Sequence, residues 1–445
     1  MDQDSSQRKL PPSQNRSVDA DRLWQDLMAL GTITDPGRPY TRRCFTHRFV
    51  EGRRWLANRF SEAGLAVRLD TGANMIGRMQ GRDPSLPALL IGSHSDTVPS
   101  GGRFDGMLGV LAGLEVIRML RDRGIVPRHP IEIVDFLGEE PSDYGLSCIG
   151  SRAMSGLLND PMLDFKNASG ETLAAAMARM GAEPSALAGA RRSDIAAYLE
   201  LHIEQGRVLE SGGTNVGLVT GIVGIARIEI EFTGAADHAG TTPFHLRRDT
   251  LIAASEIVTA VRRIGESYAV RNEGYFIATT GCLDIEPNAS NVVPARARLV
   301  VEGRAENGSW LSEFTDELDA LSRSAAKAAN VERSAFRLIS LSEPAPCDAR
   351  VHRHLVAAAA ELELSTADMA SGAGHDAAFM AQIAPAAMVF VPSRDGRSHC
   401  PEEWTAAEDC SNGAALLFEA LLRIDADDAF LQCARPVTGA RGVTS

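Results

Sequence analysis

Histidine and carboxylate residues end four short apolar runs of this sequence. The runs and their polar residues are ALLIGSHSD with His94 and Asp96, PIEIVDFLGEE with Glu139 and Glu140, AAYLELHIEQG with His202 and Glu204, and PAAMVFVPSRDGRSH with Asp395 and His399. Each run is rich in Ile, Val, Leu or Ala, which is typical of a buried strand. Ligands of α/β sheets bind outside the carboxyl ends of parallel strands, so we expect these side chains to meet. Imidazoles and carboxylates gathered without matching Lys or Arg predict a site for a divalent metal ion.

Asp105 follows a Gly-rich turn in GGRFDGMLG, just before a predicted helix. The alternative interpretation is a phosphate-binding loop, but the spacing matches neither the P-loop nor the dinucleotide fingerprint. A carboxylate at this position can bridge two metal ions. Asp96, two residues beyond His94, is placed to accept the second N–H of that imidazole and so to orient the ring. A simple turn-forming role is the alternative for Asp96.

Two adjacent acids, Glu139 and Glu140, repel each other unless a positive charge neutralises them. Solvated loop acids are the alternative, which the preceding buried strand disfavours. If Asp105 bridges, the sequence predicts two sets of three ligands: His94, Asp105 and His202, and Asp105, Glu140 and His399. Three protein ligands and one open position are typical of catalytic rather than structural zinc. Glu139 is then placed to act as the general base.

Composition and charge exclude several classes of protein. The 445 residues suggest two or three domains, and the net charge of −13, spread along the chain, argues against nucleic acid as the main partner. The seven cysteines are odd in number and widely spaced without a CxxC, so neither a disulfide framework nor a thiolate zinc site is expected. Cys400 beside His399 raises a nucleophilic thiol as an alternative, and a small loop residue is favoured. No segment resembles a secretory signal or membrane span, so we expect a cytoplasmic protein.

The pattern of strands and helices predicts one domain inserted into another. Strands and helices alternate up to about Gly212 and again from about Pro344, which predicts an α/β fold with a mostly parallel sheet and helices on both faces. Between them, four strands and two helices predict an inserted antiparallel α+β layer. The expected boundaries are a disordered tail over 1–17, a catalytic domain over 18–213 and 343–425, an inserted domain over 214–342, and a C-terminal tail over 426–445.

Seven segments carry a resemblance to a known family. They are GSHSDTVPSGGRFDGMLGVLAGLEV, EEPSDYGLSCIGSRAMSG, ELHIEQGRVLE, ADHAGTTPFHLRRD, PNASNVVPA, SGAGHDAAFMA and VPSRDGRSHCPEEWT. The sequence resembles the N-carbamoyl-L-amino acid hydrolases, β-ureidopropionases and allantoate amidohydrolases, within the aminoacylase-like dinuclear metallohydrolases. The resemblance implies a zinc-exopeptidase-like catalytic domain and a ferredoxin-like inserted lid and dimerisation domain, hence a homodimer. It places the family's five metal positions on the five predicted ligands and its catalytic glutamate on Glu139. The implied cofactors are two divalent ions per subunit, Zn, Mn, Co or Ni.

The resemblance also implies substrate-binding residues. His238 matches a position that holds the substrate's carbonyl oxygen, and Asn291 and Arg304 match positions that grip its carboxylate. A guanidinium suits this task because its planar fork binds a carboxylate bidentately. Gln205 and His375 match further substrate contacts. Without the resemblance, an exposed strand cation would be favoured for Arg304 and a turn residue for His238.

The implied reaction is hydrolysis of the ureido C–N bond of a small-molecule N-carbamoyl-L-amino acid, giving the amino acid, carbon dioxide and ammonia. Allantoate and β-ureidopropionate are the alternative substrates, because all three carry a carboxylate. A more remote alternative is an aminoacylase or aminopeptidase, against which His202 weighs. A binding protein without catalysis is disfavoured by the intact Glu139 and ligand set. The sequence departs from the family at Cys400, where Asn is common, and at Trp404, where Tyr is common.

Overall fold

The computed structural model describes residues 18–271 and 273–431. The predicted N-terminal tail, 1–17, therefore lies outside the described residues, as does 432–445 of the predicted C-terminal tail. Residues 426–431 are described and belong to the fold. A short 3₁₀ helix covers Asp428–Phe430, and the Phe430 ring is buried. The predicted start of the C-terminal tail is corrected accordingly.

The described residues form helices and strands with the following bounds. The helices are α1 (Ala20–Gly31), α2 (His47–Glu62), α3 (Met107–Asp122), α4 (Ile149–Ser155), α5 (Asp160–Leu163), α6 (Leu173–Arg179), α7 (Val208–Gly212), α8 (Thr250–Arg271), α9 (Gly308–Ala328), α10 (Ala349–Glu361), α11 (Asp376–Met380) and α12 (Ala407–Ala426). The strands are β1 (Ala66–Leu69), β2 (Met75–Met79), β3 (Ala88–His94), β4 (Ile131–Phe136), β5 (Ile195–Ile203), β6 (Val216–Ile222), β7 (Gly224–Thr233), β8 (Asp237–His238), β9 (Phe276–Glu286), β10 (Val292–Val293), β11 (Arg296–Ala305), β12 (Glu332–Ser342), β13 (Ala345–Pro346), β14 (Thr366–Ser371) and β15 (Ala386–Val391). None of the described helices is both long and apolar enough to cross a membrane.

The chain divides into two compact units. Unit 1 comprises the described residues of 18–218, 350–367 and 383–431, and unit 2 comprises Val219–Ala349 and Asp368–Gln382. Unit 2 thus takes in a segment that we expected in the second part of the catalytic domain. Contacts between distant residues attach this segment: the Val223 N–H donates to the Ser371 carbonyl, and Arg304 donates to the Gly372 carbonyl. A local sequence pattern carries no information about such contacts.

Unit 1 is built on a mixed sheet with strand order β1-β2-β4-β3-β5-β15-β6. Its four central strands, β4, β3, β5 and β15, are parallel, whereas β1, β2 and β6 join antiparallel. Every residue of the central strands is buried, which is why their sequences read as continuous apolar runs. Helices α3 and α12 pack against β3, β5 and β15, and α1 packs on these two helices. Helix α2 packs against β1 and β2, and α4 packs against β4. The predicted mostly parallel sheet with flanking helices is confirmed.

Unit 2 contains a separate antiparallel sheet with strand order β12-β7-β11-β9. Buried and partly exposed residues alternate along β11, as expected when one sheet face meets a core. Helices α8 and α9 supply the other side of that core. The core residues include Ile228, Ile230, Leu299, Val301, Ile257, Val261, Phe314 and Leu318. The predicted antiparallel layer of four strands and two helices is therefore confirmed.

Candidate metal centre

The carboxyl ends of the parallel strands bring the predicted histidines together in unit 1. His94 is the last residue of β3 and pairs in register with Phe136, the last residue of β4. His202 lies near the end of β5 and pairs in register with Phe390 near the end of β15. Because all four strands run the same way, their polar ends share one edge of the sheet.

Two glycines with positive φ turn the chain into the site. Gly138, at φ 62°, follows β4 and directs Glu139 and Glu140 to the sheet edge. Gly106, at φ 68°, precedes α3 and follows Asp105. A Cβ on Gly106 would lie 2.4 Å from the His94 ring, so the imidazole occupies the space that a side chain would need. Glycine at 106 is therefore required both by backbone conformation and by the close approach of a predicted ligand.

The first predicted triad has its imidazole nitrogens turned towards one carboxylate oxygen. Oδ1 of Asp105 lies 3.5 Å from Nε2 of His94 and 3.3 Å from Nε2 of His202. Nδ1 of His94 lies 3.1 Å from the Asp96 carbonyl oxygen, and Nδ1 of His202 lies 3.0 Å from that of Ile203. Each Nδ1 therefore carries the hydrogen that it donates to a carbonyl. A ring that has lost its second proton then presents its Nε2 lone pair to the site, which is the tautomer that ligates a metal.

The second predicted triad uses the other oxygen of the same aspartate. Oδ2 of Asp105 lies 3.3 Å from Nε2 of His399, which in turn lies 3.6 Å from Oε1 of Glu140. In each triad the candidate ligand atoms lie within 4.8 Å of one another. Asp105 is shared by both, which is the arrangement that a bridging carboxylate requires. The His399 side chain is 49% exposed, so this side of the site is open to solvent.

Glu139 lies beside the first triad without being part of either. Its Oε2 is 3.5 Å from Nε2 of His94, and the Cys148 thiol donates to its Oε1 over 3.5 Å. Asp96 supports the two acids through the backbone, because its carboxylate oxygens accept the N–H groups of Glu139 and Glu140 at 3.2 Å each. The carboxylate of Asp96 is 3.4 Å from Nδ1 of His94, whereas the carbonyl of Asp96 is closer, at 3.1 Å. Asp96 therefore positions both the loop that carries Glu139 and Glu140 and the imidazole ring of His94.

The electrostatics of the cluster call for added positive charge. Burial, followed by the charge of Asp105, raises the pKa of Glu140 to about 8. The hydrogen bond to Asp105 raises the pKa of His399 to about 9, and burial opposes this. Burial also disfavours the charged form of His94, but Glu139 and the other carboxylates outweigh it and raise the pKa of His94 well above its usual value. These groups thus tend to hold protons, and a divalent cation would supply the same positive charge. Imidazole and carboxylate donors suit such a cation.

Two polar residues of the four apolar runs lie away from the cluster. The carboxylate of Glu204 accepts the N–H groups of Val208 at 2.7 Å and Leu209 at 2.9 Å, so it caps the start of α7. Asp395 is exposed, and its N–H donates to Glu210. Gln205, a predicted substrate contact, lies at the site, where its Nε2 donates to Oδ2 of Asp105 at 2.7 Å.

The predicted carbonyl-binding residue His238 belongs to unit 2. Its Nδ1 accepts the N–H groups of Gly240 at 3.1 Å and Thr241 at 3.2 Å. A neutral ring in this arrangement carries its hydrogen on Nε2, and the side chain is exposed, so Nε2–H can donate to a ligand. Asn291 is also exposed, and its carbonyl accepts the N–H of Ala239 at 2.9 Å. The pairing of β8 with β10 thus makes His238 and Asn291 neighbours.

Arg304 and His375 also lie in unit 2. Arg304 has an intramolecular counterion: Glu302 Oε1 lies 2.7 Å from Nε and 2.6 Å from Nη2. Nη1 donates to the Gly372 carbonyl at 2.6 Å. The Nε and Nη2 edge of the guanidinium is therefore occupied, which the sequence did not indicate. His375 is buried at the start of α11, in the segment that joins unit 2 from the second part of the chain.

Three residues that the sequence analysis did not select lie against the predicted site. Cys148 contacts Glu139, Ser398 donates towards Asp105, and Glu403 accepts the Asp105 N–H. Ser398 and Glu403 occur in VPSRDGRSHCPEEWT, close in sequence to the predicted ligand His399. This closeness is the one feature of the sequence that could have indicated a place at the site. Cys148 lies nine residues beyond Glu139, and no spacing rule connects a thiol to a carboxylate at that distance.

A parallel α/β core with His and carboxylate triads at its carboxyl edge is an arrangement typical of metal-dependent hydrolases. Residues 90–423 match the profile of Peptidase family M20/M25/M40, and the chain belongs to this family. The N-carbamoyl-L-amino acid amidohydrolase of Geobacillus stearothermophilus is 38% identical over 410 residues, which cover 92% of this chain and 99% of that protein. The allantoate amidohydrolase of Bacillus subtilis is 33% identical over 399 residues, which cover 89% of this chain and 95% of that protein.

A solved structure leads to the same group of enzymes. The amidase of the hydantoinase/carbamoylase family from Burkholderia multivorans is 36% identical in sequence and superposes with a TM-score of 0.87, over 92% of this chain and 99% of that one. The relatives match this chain over nearly their whole length. The chain is an amidohydrolase, a hydrolase of C–N bonds other than peptide bonds.

Proposed function

We propose that this protein hydrolyses the ureido C–N bond of N-carbamoyl-L-amino acids. Water and the substrate give the amino acid and carbamic acid, which decomposes to carbon dioxide and ammonia. The observation that carries the proposal is the pair of triads sharing Asp105, with Glu139 beside them at 3.5 Å from His94. The near full-length similarity to an N-carbamoyl-L-amino acid amidohydrolase supports this choice of substrate.

Two divalent metal ions per chain complete the proposed site. The first would be held by His94, Asp105 and His202, and the second by Asp105, Glu140 and His399. When bound, such ions lower the pKa of water and polarise a carbonyl oxygen. Zn, Mn, Co and Ni all suit imidazole and carboxylate ligands, and availability decides among them.

Glu139 is the proposed general base and acid. Its carboxylate is mostly buried, and the Cys148 thiol holds Oε1, which leaves Oε2 on the His94 side. From there it accepts a proton from the attacking water and passes it to the leaving nitrogen. His238 donates its Nε2 hydrogen to the carbamoyl oxygen as negative charge develops there.

Arg304 and Asn291 are the proposed readers of the substrate carboxylate. Because Glu302 occupies the Nε and Nη2 edge, the carboxylate would meet the end-on edge formed by Nη1 and Nη2. Gln205 and His375 are proposed as further substrate contacts. The neutralised charge of Arg304 makes this grip weaker than that of an unpaired buried guanidinium.

Allantoate is the second candidate substrate, and the similarity to an allantoate amidohydrolase favours it specifically. β-Ureidopropionate also combines a ureido group with a carboxylate. We further propose that the protein is a homodimer formed through unit 2 and that it resides in the cytoplasm. A homodimer would let His238 act at the site of the partner.

A substrate panel with controlled metal content tests the proposal. The protein is stripped with a chelator, reconstituted separately with Zn, Mn, Co and Ni, and assayed for ammonia release from N-carbamoyl-L- and D-amino acids, allantoate and β-ureidopropionate. N-acetyl-L-amino acids and dipeptides serve as comparisons, assayed by release of the free amino acid. We expect turnover of the N-carbamoyl-L-amino acids only after metal is restored, at about two ions per chain.

Two results would contradict the proposal. Undiminished activity in protein shown to be free of metal would remove the metal centre from the reaction. A clear preference for acetyl amino acids or dipeptides over every ureido acid would instead remove the ureido substrate class and leave the metal centre standing.

A further inference from the structure

A buried carboxylate outside the predicted ligand set joins two loops of the candidate metal centre. Glu403, only 1% exposed, lies four residues beyond His399. Its Oε1 accepts the backbone N–H of Phe104 at 2.9 Å and of Asp105 at 3.2 Å. Its Oε2 lies 2.9 Å from the hydroxyl of Ser398. Glu403 therefore contacts the loop that carries Asp105 and the loop that carries His399.

Ser398 extends this connection to the bridging carboxylate itself. The Ser398 hydroxyl lies 2.9 Å from Oδ2 of Asp105, the same distance as to Glu403. Gln205 Nε2 donates to the same Oδ2 at 2.7 Å. The backbone of Asp105 is thus held by Glu403 directly. The Ser398 hydroxyl lies between the two carboxylates and donates its single hydrogen to one of them at a time.

The Asp105 loop is shaped to receive Glu403. A Cβ on Gly102 would fall 1.7 Å from Oε1 of Glu403, so the carboxylate fills the space beside a residue without a side chain. The neighbouring residue Trp404 holds the same loop by a second contact. The Arg103 guanidinium lies 4.8 Å from the ring of Trp404 and 4.8 Å from that of Tyr40. Such stacking of a cation on aromatic faces is attractive and restricts the loop further.

The loop needs this support because it precedes α3 without regular strand pairing. Buried N–H groups require acceptors, and Glu403 supplies one for both Phe104 and Asp105. A small rotation of this backbone would turn one oxygen of Asp105 away from its triad. The two oxygens serve different triads, so an error in orientation affects both.

We propose that Glu403 is a positioning residue that fixes Asp105 in its bridging orientation, an inference that rests on the proposed dinuclear metal centre. Glu403 holds the Asp105 backbone directly, and it also contacts Ser398, which lies beside the Asp105 side chain. Glu403 belongs to neither candidate triad. We expect replacement of Glu403 to affect metal affinity first, because replacing a residue that orients a ligand typically lowers metal affinity by about 10- to 100-fold.

Four variants test the proposal: Glu403→Ala, Glu403→Gln, Ser398→Ala and, as a matched control, Glu402→Gln, whose side chain is exposed. Stoichiometry and the two dissociation constants are measured by competition with a chromophoric chelator and by calorimetry, using Zn²⁺ alone. Thermal unfolding of the metal-free proteins checks the fold. Glu403→Ala should weaken binding of at least one ion by about 10- to 100-fold. Glu403→Gln should recover most of the affinity, because its amide oxygen still accepts both N–H groups and its NH₂ can donate to Ser398.

Unchanged dissociation constants in a folded Glu403→Ala protein would overturn the proposal. If that variant does not fold, Ser398→Ala decides. Weaker Zn²⁺ binding supports the connection to Asp105, and wild-type binding refutes it. A Glu403→Gln protein as impaired as Glu403→Ala would also refute a geometric role. Failure of the wild-type protein to bind Zn²⁺ would instead refute the dinuclear centre, so the two failures are distinguishable.

Discussion

Replacement of Arg304 tests whether the enzyme recognises a carboxylate on its substrate. The Arg304 side chain is 32% exposed and already paired with Glu302, so its net gain from a substrate carboxylate is that of one charge-assisted interaction. Such an interaction contributes about 1.5–3 kcal/mol. Arg304→Ala should therefore lower kcat/KM on N-carbamoyl-L-amino acids by about 10- to 150-fold. Most of the loss should appear in KM, because the carboxylate is bound equally in the ground and transition states.

The assay is a double cycle with two substrates and two proteins. The second substrate is the carboxamide of the same N-carbamoyl amino acid, which lacks the anion. The native enzyme should use it poorly, and Arg304→Ala should change its kcat/KM by less than about threefold, so that the two losses do not add. Ammonia release is followed together with metal content, which should stay at the native level in both proteins.

Arg298 provides the matched control. It lies on the same strand, β11, is 34% exposed, and is paired with Glu229 much as Arg304 is paired with Glu302. Arg298→Ala should leave both substrates unaffected. If the losses in the Arg304 cycle simply add, or if Arg298→Ala shows the same selectivity, Arg304 does not read the carboxylate. The proposed substrate class would then rest on similarity alone.

The remaining predictions concern the acids after β4 and the oligomer. Glu139→Gln should reduce kcat by about 10²–10⁴ while metal content is retained, whereas Glu140→Gln should lose metal from the triad that includes Asp105 and His399. Metal analysis and steady-state kinetics on both proteins decide this, and an exchange of the two phenotypes would reverse the assignment. Light scattering at assay concentration should give the mass of a dimer, and a fully active monomer would contradict the proposed role of unit 2.

Much of the fold was accessible from local patterns. The central strands are buried on both faces, so each appears as a continuous apolar run, and the helices between them show helical spacing. The order of elements in unit 2 likewise matched its antiparallel sheet. The sequence did not predict that residues 368–382 belong to unit 2. Hydrogen bonds such as that from Arg304 to Gly372 attach this segment, and they join residues that are far apart in sequence.

The sequence also predicted that the candidate ligands lie close together. His94, Glu140, His202 and His399 each follow a strand, and parallel strands end at one edge. The strand-end argument by itself does not separate these ligands from Glu204 and Asp395, because a strand end does not specify which way a side chain turns. Glu204 instead satisfies free N–H groups at the start of α7. Capping is a local demand that competes with any role at a site.

The sequence by itself determined three things. These are the residue types at the sheet edge, the alternation of strands and helices along the chain that builds the parallel sheet, and the family of the chain. Only the tertiary structure decided which groups surround each candidate functional residue. It paired Arg304 with Glu302, placed the Cys148 thiol on Glu139, and put Glu403 against the backbone of Asp105. The physical reason is that chemistry at a site depends on distances of a few ångströms and on the loss of water. Both arise from packing between segments that are far apart in sequence.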